Sequence, residues 1–252
     1  MLRLDQLLVS QGFARSRTRA QRLIRHGRVS RLSDGKVLTR PGEKCPEDLA
    51  LQVEQDPEDR YVSRAGLKLE AVLQTLGLSL EGLRVLDVGQ STGGFTDCAL
   101  AAGARHVVGV EVGHDQLDTS LRADSRVTCL EGLNARHMAS AAPLLELLER
   151  DGRPDVAVMD VSFISQTLIL PELAKLLASD ALLLSLVKPQ FELGPGAVDQ
   201  RGLVSDPRRY ADVEQRIRSC CDLHGFDILH WQESPILGGD GNREFLLQAR
   251  RR

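Results

Sequence analysis

The chain has 252 residues, of which 42% are apolar and 27% charged, with a net charge of −3. That balance fits a soluble globular protein of one large or two unequal domains. Its apolar runs, such as Ala181 to Val187, are too short to span a bilayer, and the first residues show neither the long apolar core nor the small-residue cleavage site of a secretory signal. A cytoplasmic protein without a membrane partner is expected. The five cysteines, Cys45, Cys98, Cys129, Cys220 and Cys221, form an odd set without C-x-x-C spacing, and the six histidines show no H-E-x-x-H pair. Neither a disulfide framework nor a metal site is expected. The net charge hides an asymmetry. Residues 1 to 44 hold nine Arg and two Lys against Asp5, Asp34 and Glu43, a net of +8, so the remainder carries −11. A small basic module precedes a larger acidic one, and the basic one is a candidate for polyanion contact.

In the basic head, "LRLDQLLVSQG" sets Leu4, Leu7 and Leu8 on one helical face and ends at Gly12. "SRTRAQRLIRHG" offers Ser16 as N-cap and Gly27 as the residue past the C-terminus. Ala20, Leu23 and Ile24 form its apolar stripe, with Arg15, Arg19, Arg22 and Arg25 on the other side. Asp34-Gly35 marks a turn between short strands. Seven arginines lie between Arg15 and Arg31 with no acidic residue among them. A merely solvated face is the competing reading, but that density favours phosphate contacts. The candidate RNA-binding residues are Arg15, Arg17, Arg19, Arg22, Arg25 and Arg28. Aromatics are nearly absent, so contacts with the shape and phosphates of folded RNA fit better than base stacking.

From Pro46 to Arg64 the chain is charged, with a hinge expected near Asp56 to Arg60. Leu69, Val72, Leu73 and Leu76 then recur at helical spacing, and Gly77 stops the helix. Beyond Arg84, short apolar strands alternate with helix-length segments: "RVLDVG", "HVVGVEV", "VTCLEG", "DVAVMDV", "LLLSLVKP", "FDILHWQES" and "REFLLQAR". This alternation predicts an α/β fold, a Rossmann-like doubly wound sheet binding ligands at the carboxyl ends of its strands. The turn "GGDGN" should lead into an antiparallel last strand. After the first strand, Gly89-x-x-x-Gly93-Gly94 lacks the G-x-G-x-x-G of a dinucleotide fold and the lysine of a phosphate loop. Glycines permit close backbone approach, and the following helix offers free N–H groups. Glu111, at the end of the next strand, can accept from ribose hydroxyls. An adenosyl cofactor fits, with tight packing glycines as the alternative. Pro189 to Pro207 is long enough to be read as a substrate-gating loop that orders on RNA.

The head resembles the small S-four-type RNA-binding domain through "LDQLL", "SRTRAQRLIRHGRV" and the "DGKV…RPGEKC" ribbon. The glycine turn is similar to the cofactor loop of FtsJ-like, S-adenosyl-L-methionine-dependent ribose methyltransferases. Together with "YVSRAGLKL", "MDVSFIS", "VKPQFELG" and "GNREFLL", the chain resembles the TlyA (hemolysin A) family over nearly its whole length. The resemblance implies domains at 1–59 and 60–252, and 2′-O-methylation of riboses in ribosomal RNA, with ribosomal subunits as partners. It leaves oligomeric state, target nucleotide and subunit open. The Lys-Asp-Lys-Glu tetrad of the FtsJ-like class is matched by Lys68, Asp160, Lys188 and Glu244, which could otherwise form a structural ion-pair network. Implied cofactor contacts are Asp87, Gly89, Ser91, Thr92, Gly93, Gly94, Phe95, Glu111 and Asn134. Gln90 departs from the family pattern and is expected to crowd the cofactor's methionine end. A nicotinamide oxidoreductase, a non-catalytic ribosome-binding factor and a membrane-lysing protein are the rival readings.

Overall fold

A computed structural model describes residues 1–14, 16–54, 60–238 and 241–252. Arg15, most of the expected hinge at 56–60, and positions 239 and 240 of the expected last turn lie outside the described residues. The chain divides into two compact units, Met1–Arg60 and Tyr61–Arg252.

In the first unit, strand β1 (Leu2–Arg3) leads into helix α1 (Leu4–Ser10). Ser16 caps helix α2 (Arg17–Arg25) by accepting the Arg19 N–H at 3.3 Å. Gly27 then takes φ +68°, a left-handed conformation that costs glycine little and ends the helix. Leu4, Leu7 and Leu8 meet Ala20, Leu23 and Ile24 in one buried cluster. Strands β2 (Val29–Arg31), β3 (Lys44–Cys45) and β4 (Leu51–Val53) complete the unit, β1 pairing with β3 and β2 with β4, both antiparallel. The turn at Asp34-Gly35 is present, but its second arm shrinks to one bridge between Ser30 and Val37. The main partner of β2 comes instead from the charged stretch that begins at Pro46. Burial explains the choice, since Leu51 is buried in the core while Val37 stays half exposed.

The second unit opens with helix α3 (Ala65–Leu76), which Gly77 ends at φ +61°. Its strands are β5 (Arg84–Val88), β6 (His106–Val110), β7 (Val127–Leu130), β8 (Val156–Met159), β9 (Leu182–Val187), β10 (Phe226–Glu233) and β11 (Phe245–Arg251). They form one sheet in the order β10-β11-β9-β8-β5-β6-β7, parallel from β9 to β7, with β11 and β10 antiparallel at the far edge. Between the strands lie α4 (Gly94–Ala101), α5 (Thr119–Arg122), α6 (Ala142–Asp151), α7 (Leu170–Leu176), α8 (Pro189–Glu192) and α9 (Tyr210–Leu223). Alternate strand residues face opposite sides. Leu86 and Val88 pack with residues of α6, α7 and α9, whereas Val85, Val156 and Val158 pack with residues of α3, α4 and α5. The doubly wound α/β architecture expected from the strand alternation is present.

Two features of this sheet position the site. The chain builds outward from β5 to β6 and β7, then returns to build β8 and β9 on the other side. At such a reversal the carboxyl ends of β5 and β8 diverge and leave a crevice. The stretch Pro189–Pro207, expected to order only on RNA, is folded here into α8, a 3-10 turn and a Val198–Val204 bridge. Asn242 fastens it, donating from Nδ2 to the Gly202 carbonyl at 3.0 Å. Its fold is held by contacts within the protein.

Candidate active site

Strand β5 delivers Gly89, at φ +84°, into the crevice. A Cβ there would lie 2.9 Å from the Asp160 carbonyl oxygen. Gly93, at φ +94°, faces Leu117 and Leu121, and Gly94 admits Ser63 and Ala65 from the start of α3. A side chain at any of the three would collide with a neighbouring protein segment, while Gly89 and Gly94 still line the crevice. Gln90, expected to crowd a cofactor, is only 3% exposed. Its amide lies over Gly109 and donates to Thr96 Oγ1 at 2.8 Å.

Two adjoining cavities open above the turn. The larger, about 940 Å³, is lined by Gly89, Ser91, Glu111, Asn134, Asp160 and Phe163, among others. The smaller, about 160 Å³, includes Ser63, Thr92, Gly94, Phe95 and Lys188. Gly89, Ser91, Asp160 and Ser162 line both. Glu111 follows β6, and its carboxylate accepts the N–H groups of Ser91 and Gly113, each at 2.8 Å. Oε1 also accepts from Gln116 Nε2 at 3.4 Å, and Oε2 keeps a further lone pair for a ligand hydroxyl. Asn134 accepts the Arg136 N–H at 3.0 Å and caps the turn that forms part of the wall. Asp87 lines neither cavity. It is fully buried below the turn, where Thr96 Oγ1 donates to it at 2.7 Å. Burial pushes its carboxyl up to about 7, outweighing the Thr96 hydrogen bond, with the negative charges of Asp160 and Glu111 adding to the rise. It supports the turn from beneath.

The four matched residues form two ion pairs. Lys188 Nζ lies 2.7 Å from Asp160 Oδ1 and donates to Ser162 Oγ at 3.0 Å. Lys68 Nζ lies 2.6 Å from Glu244 Oε2, and both of those side chains are buried. Asp160 and Lys188 directly follow β8 and β9. The β9–β11 register pairs Val187 with Phe245, and Lys188 and Glu244 are the next residues beyond that pair. Three adjacent strand ends and the first turns of α3 therefore supply the four groups. Sequence reasoning missed Ser63 and Ser162. The signal available for Ser162 was a hydroxyl residue two places after a carboxylate at a strand end.

In the basic unit, Asp5 is fully buried and accepts two hydrogen bonds from Arg3, one from Arg17 at 3.2 Å and one from Gln21 at 2.8 Å. Arg17 is thus tied to a carboxylate at the face where it was expected to meet RNA. Arg28 pairs with Glu54 at 3.2 Å, while Arg25 is exposed on the last turn of α2. Arg19 and Arg22 lie on the same helix. The Arg28–Glu54 pair is solvent-exposed, so it is weak and leaves that guanidinium exchangeable.

An FtsJ-like methyltransferase model matches residues 61–251, and an S4 domain model matches residues 2–49. The fold and the crevice at its strand reversal are those of a methyltransferase. YqxC of Bacillus subtilis, whose name marks it as a candidate rRNA methyltransferase, is 46% identical over 97% of this chain and 84% of its own. The 16S/23S rRNA (cytidine-2'-O)-methyltransferase TlyA of Mycobacterium tuberculosis is 40% identical over 98% of this chain and 89% of its own. A solved structure from Streptococcus thermophilus, bearing a hemolysin name, has a TM-score of 0.74 and 40% identity, covering 99% of this chain and 88% of that one. The chain belongs to the TlyA (hemolysin A) family of FtsJ-like methyltransferases with an N-terminal S4 domain. As for the hemolysin name, among the described residues no helix is long and apolar enough to cross a membrane.

Proposed function

We propose that this enzyme methylates ribose 2′-hydroxyls of ribosomal RNA with S-adenosyl-L-methionine as donor, at cytidines as in its Mycobacterium tuberculosis relative. One observation carries the reading: the smaller cavity joins the glycine turn to the Asp160–Lys188 pair, so a donor held by the turn ends at that pair. The residues suit the cofactor. The larger cavity falls within the usual range for small-molecule sites, mixing apolar walls with a few polar groups. Glu111 would take the cofactor's ribose hydroxyls, Asn134 the adenine side, and the Ser91–Phe95 turn its amino-acid end. Bound there, S-adenosyl-L-methionine supplies a methyl group on a positively charged sulfur.

A ribose hydroxyl is a weak nucleophile, and its proton must leave as the oxygen attacks. Lys188 takes that proton as the oxygen attacks, and the ammonium so formed, held beside Asp160, balances the negative charge passing through the oxygen. Lys68 and Glu244, buried and paired, fix the ribose on the other side. Proton management of this kind contributes about 3–5 kcal/mol, and alignment of the reacting atoms roughly 7–11 kcal/mol. Positioning is the larger part. The arginine-rich unit contributes RNA affinity through phosphate contacts, which makes binding fall with added salt. A cytoplasmic site of action follows from a ribosomal substrate.

The test is twofold. Titration calorimetry should show one S-adenosyl-L-methionine site per chain, weakened about tenfold by Glu111→Ala, the size expected for a lost hydrogen bond to a charged group. Mass spectrometry of ribosomal RNA digests should then show a 2′-O-methyl mark only with active protein. Absence of cofactor binding, or a methyl group on a base, would overturn the reading.

A further inference from the structure

Glu192 closes helix α8, is 2% exposed, lines neither cavity and has no part in the chemistry above. Buried carboxylates are rare unless partnered, so its partners are informative. It accepts from the Ser165 hydroxyl and, at 2.8 Å, from the Gln166 backbone N–H. Burial pushes its carboxyl up, while those two hydrogen bonds and the charge of Arg216 oppose the rise. Gln166 is locked in turn: its Nε2 donates to the Leu186 carbonyl at 2.6 Å, and its Oε1 accepts from Ser185 Oγ at 2.8 Å. One end of the segment running from Asp160 to Gln166 is thereby fastened to α8 and β9.

The other end is fastened to Lys188, through Asp160 at 2.7 Å and Ser162 at 3.0 Å. Lys188 is the N-cap residue just before α8 and Glu192 the residue that ends it. A single helical turn therefore grips the segment at both ends. Between the two grips Phe163 sits at φ +62°, with its side chain 90% exposed and its ring 4.9 Å from that of Phe191. For a bulky residue this backbone region is unfavourable, and it persists only where the surroundings impose it. The same segment, Val161 to Ser165, forms one wall of the larger cavity.

We propose that Glu192 is a positioning residue, a clamp that holds the Asp160–Ser165 wall through Ser165 and Gln166 and so sets Asp160 and Ser162 against Lys188. It acts on the reaction only through that wall. Releasing it lets Phe163 leave its strained conformation, slackens one side of the cofactor cavity and loosens the Lys188 pair. The catalytic part of this inference rests on the methyltransferase reading, whereas the mechanical part does not.

The experiment uses full-length wild type, Glu192→Gln, which keeps shape and one acceptor oxygen, and Glu192→Ala. Hydrogen–deuterium exchange reads the 160–168 segment, calorimetry reads S-adenosyl-L-methionine affinity, and steady-state assays on ribosomal RNA separate kcat from KM. Exchange should rise in 160–168 and stay unchanged in β5 and β6. Cofactor affinity should fall about tenfold in Glu192→Ala and about threefold in Glu192→Gln, the partial rescue reflecting the retained acceptor. Both variants should raise KM for the cofactor and lower kcat. Should Glu192→Ala fail to fold, Glu192→Gln alone carries the test. A folded Glu192→Gln with wild-type exchange in 160–168 and wild-type constants would overturn the clamp. A wild type that binds no cofactor would instead overturn the methyltransferase reading, and the exchange measurement would still decide whether the clamp exists.

Discussion

Asp5 in the basic unit and Asp87 in the catalytic unit are both fully buried, yet their surroundings drive them in opposite directions. Asp5 receives Arg3, Arg17 and Gln21, and the Arg3 hydrogen bond holds its carboxyl far below the usual range. Asp87 receives the Thr96 hydroxyl and backbone N–H but no cation, and burial drives its carboxyl up to about 7. Removal from water sets a common cost, and the partners decide the charge state. In the first unit a buried charge organises cations at the surface. In the second, a carboxyl close to neutral supports the turn beneath a crevice that already holds Asp160 and Glu111.

The comparison breaks most sharply at Asp87. Its folded-state value lies above the unfolded value of about 4, so the native state binds more protons between the two, and stability falls as pH rises from 4 to 7. Asp87→Asn removes that penalty. It should gain stability at pH 8, of the order of 4 kcal/mol, since each tenfold change in proton affinity is worth about 1.4 kcal/mol, and nothing at pH 4. Urea unfolding followed by the single tryptophan, Trp231 in β10, measures it. An equal gain at both pH values would show that burial of charge is not the cause.

Asp5 carries the opposite sign. Its folded-state value is depressed, so its contribution is complete above the unfolded value of about 4 and is lost as pH falls below it. Asp5→Ala should cost about 3 kcal/mol at pH 7, the low end for breaking a buried pair because its guanidinium partners are half in water. Hydrogen exchange of peptides within Met1–Arg60 should report the loss, with the sheet of the second unit unaffected. A smaller effect belongs to the cations themselves. Arg25→Ala should weaken binding to any structured RNA and reduce the slope of log affinity against log salt by about one. An unchanged slope would remove Arg25 from the phosphate-contacting set.

Much of the fold is legible in the sequence because it is written in local periodicity. The parallel strands of the second unit are largely apolar runs, and Ser16 and Gly77 punctuate helices by their own conformational chemistry. What is not legible depends on distant partners. Strand β4 is three residues long inside a charged stretch, and only the burial of Leu51 against the first unit's core selects it. The glycine turn gives no hint of Ser63, which packs beside Gly94 and lines the same cavity from some thirty residues earlier. Motif matching can name Lys68 and Glu244 but not their pairing, which closes across 176 residues. Glu192 falls within the "VKPQFELG" match, but that match assigns it no role, and a lone glutamate on a four-residue helix looks like solvent-facing charge.

The most direct test of Lys188 as the group that handles the ribose proton is single-turnover methyl transfer to ribosomal RNA by the Lys188→Arg variant. Arginine keeps the positive charge beside Asp160 but does not give up a proton. Transfer should slow by roughly 10²–10⁴-fold while cofactor affinity stays near that of wild type. A near-normal rate would contradict the assignment of that lysine and, with it, the chemistry proposed for the crevice.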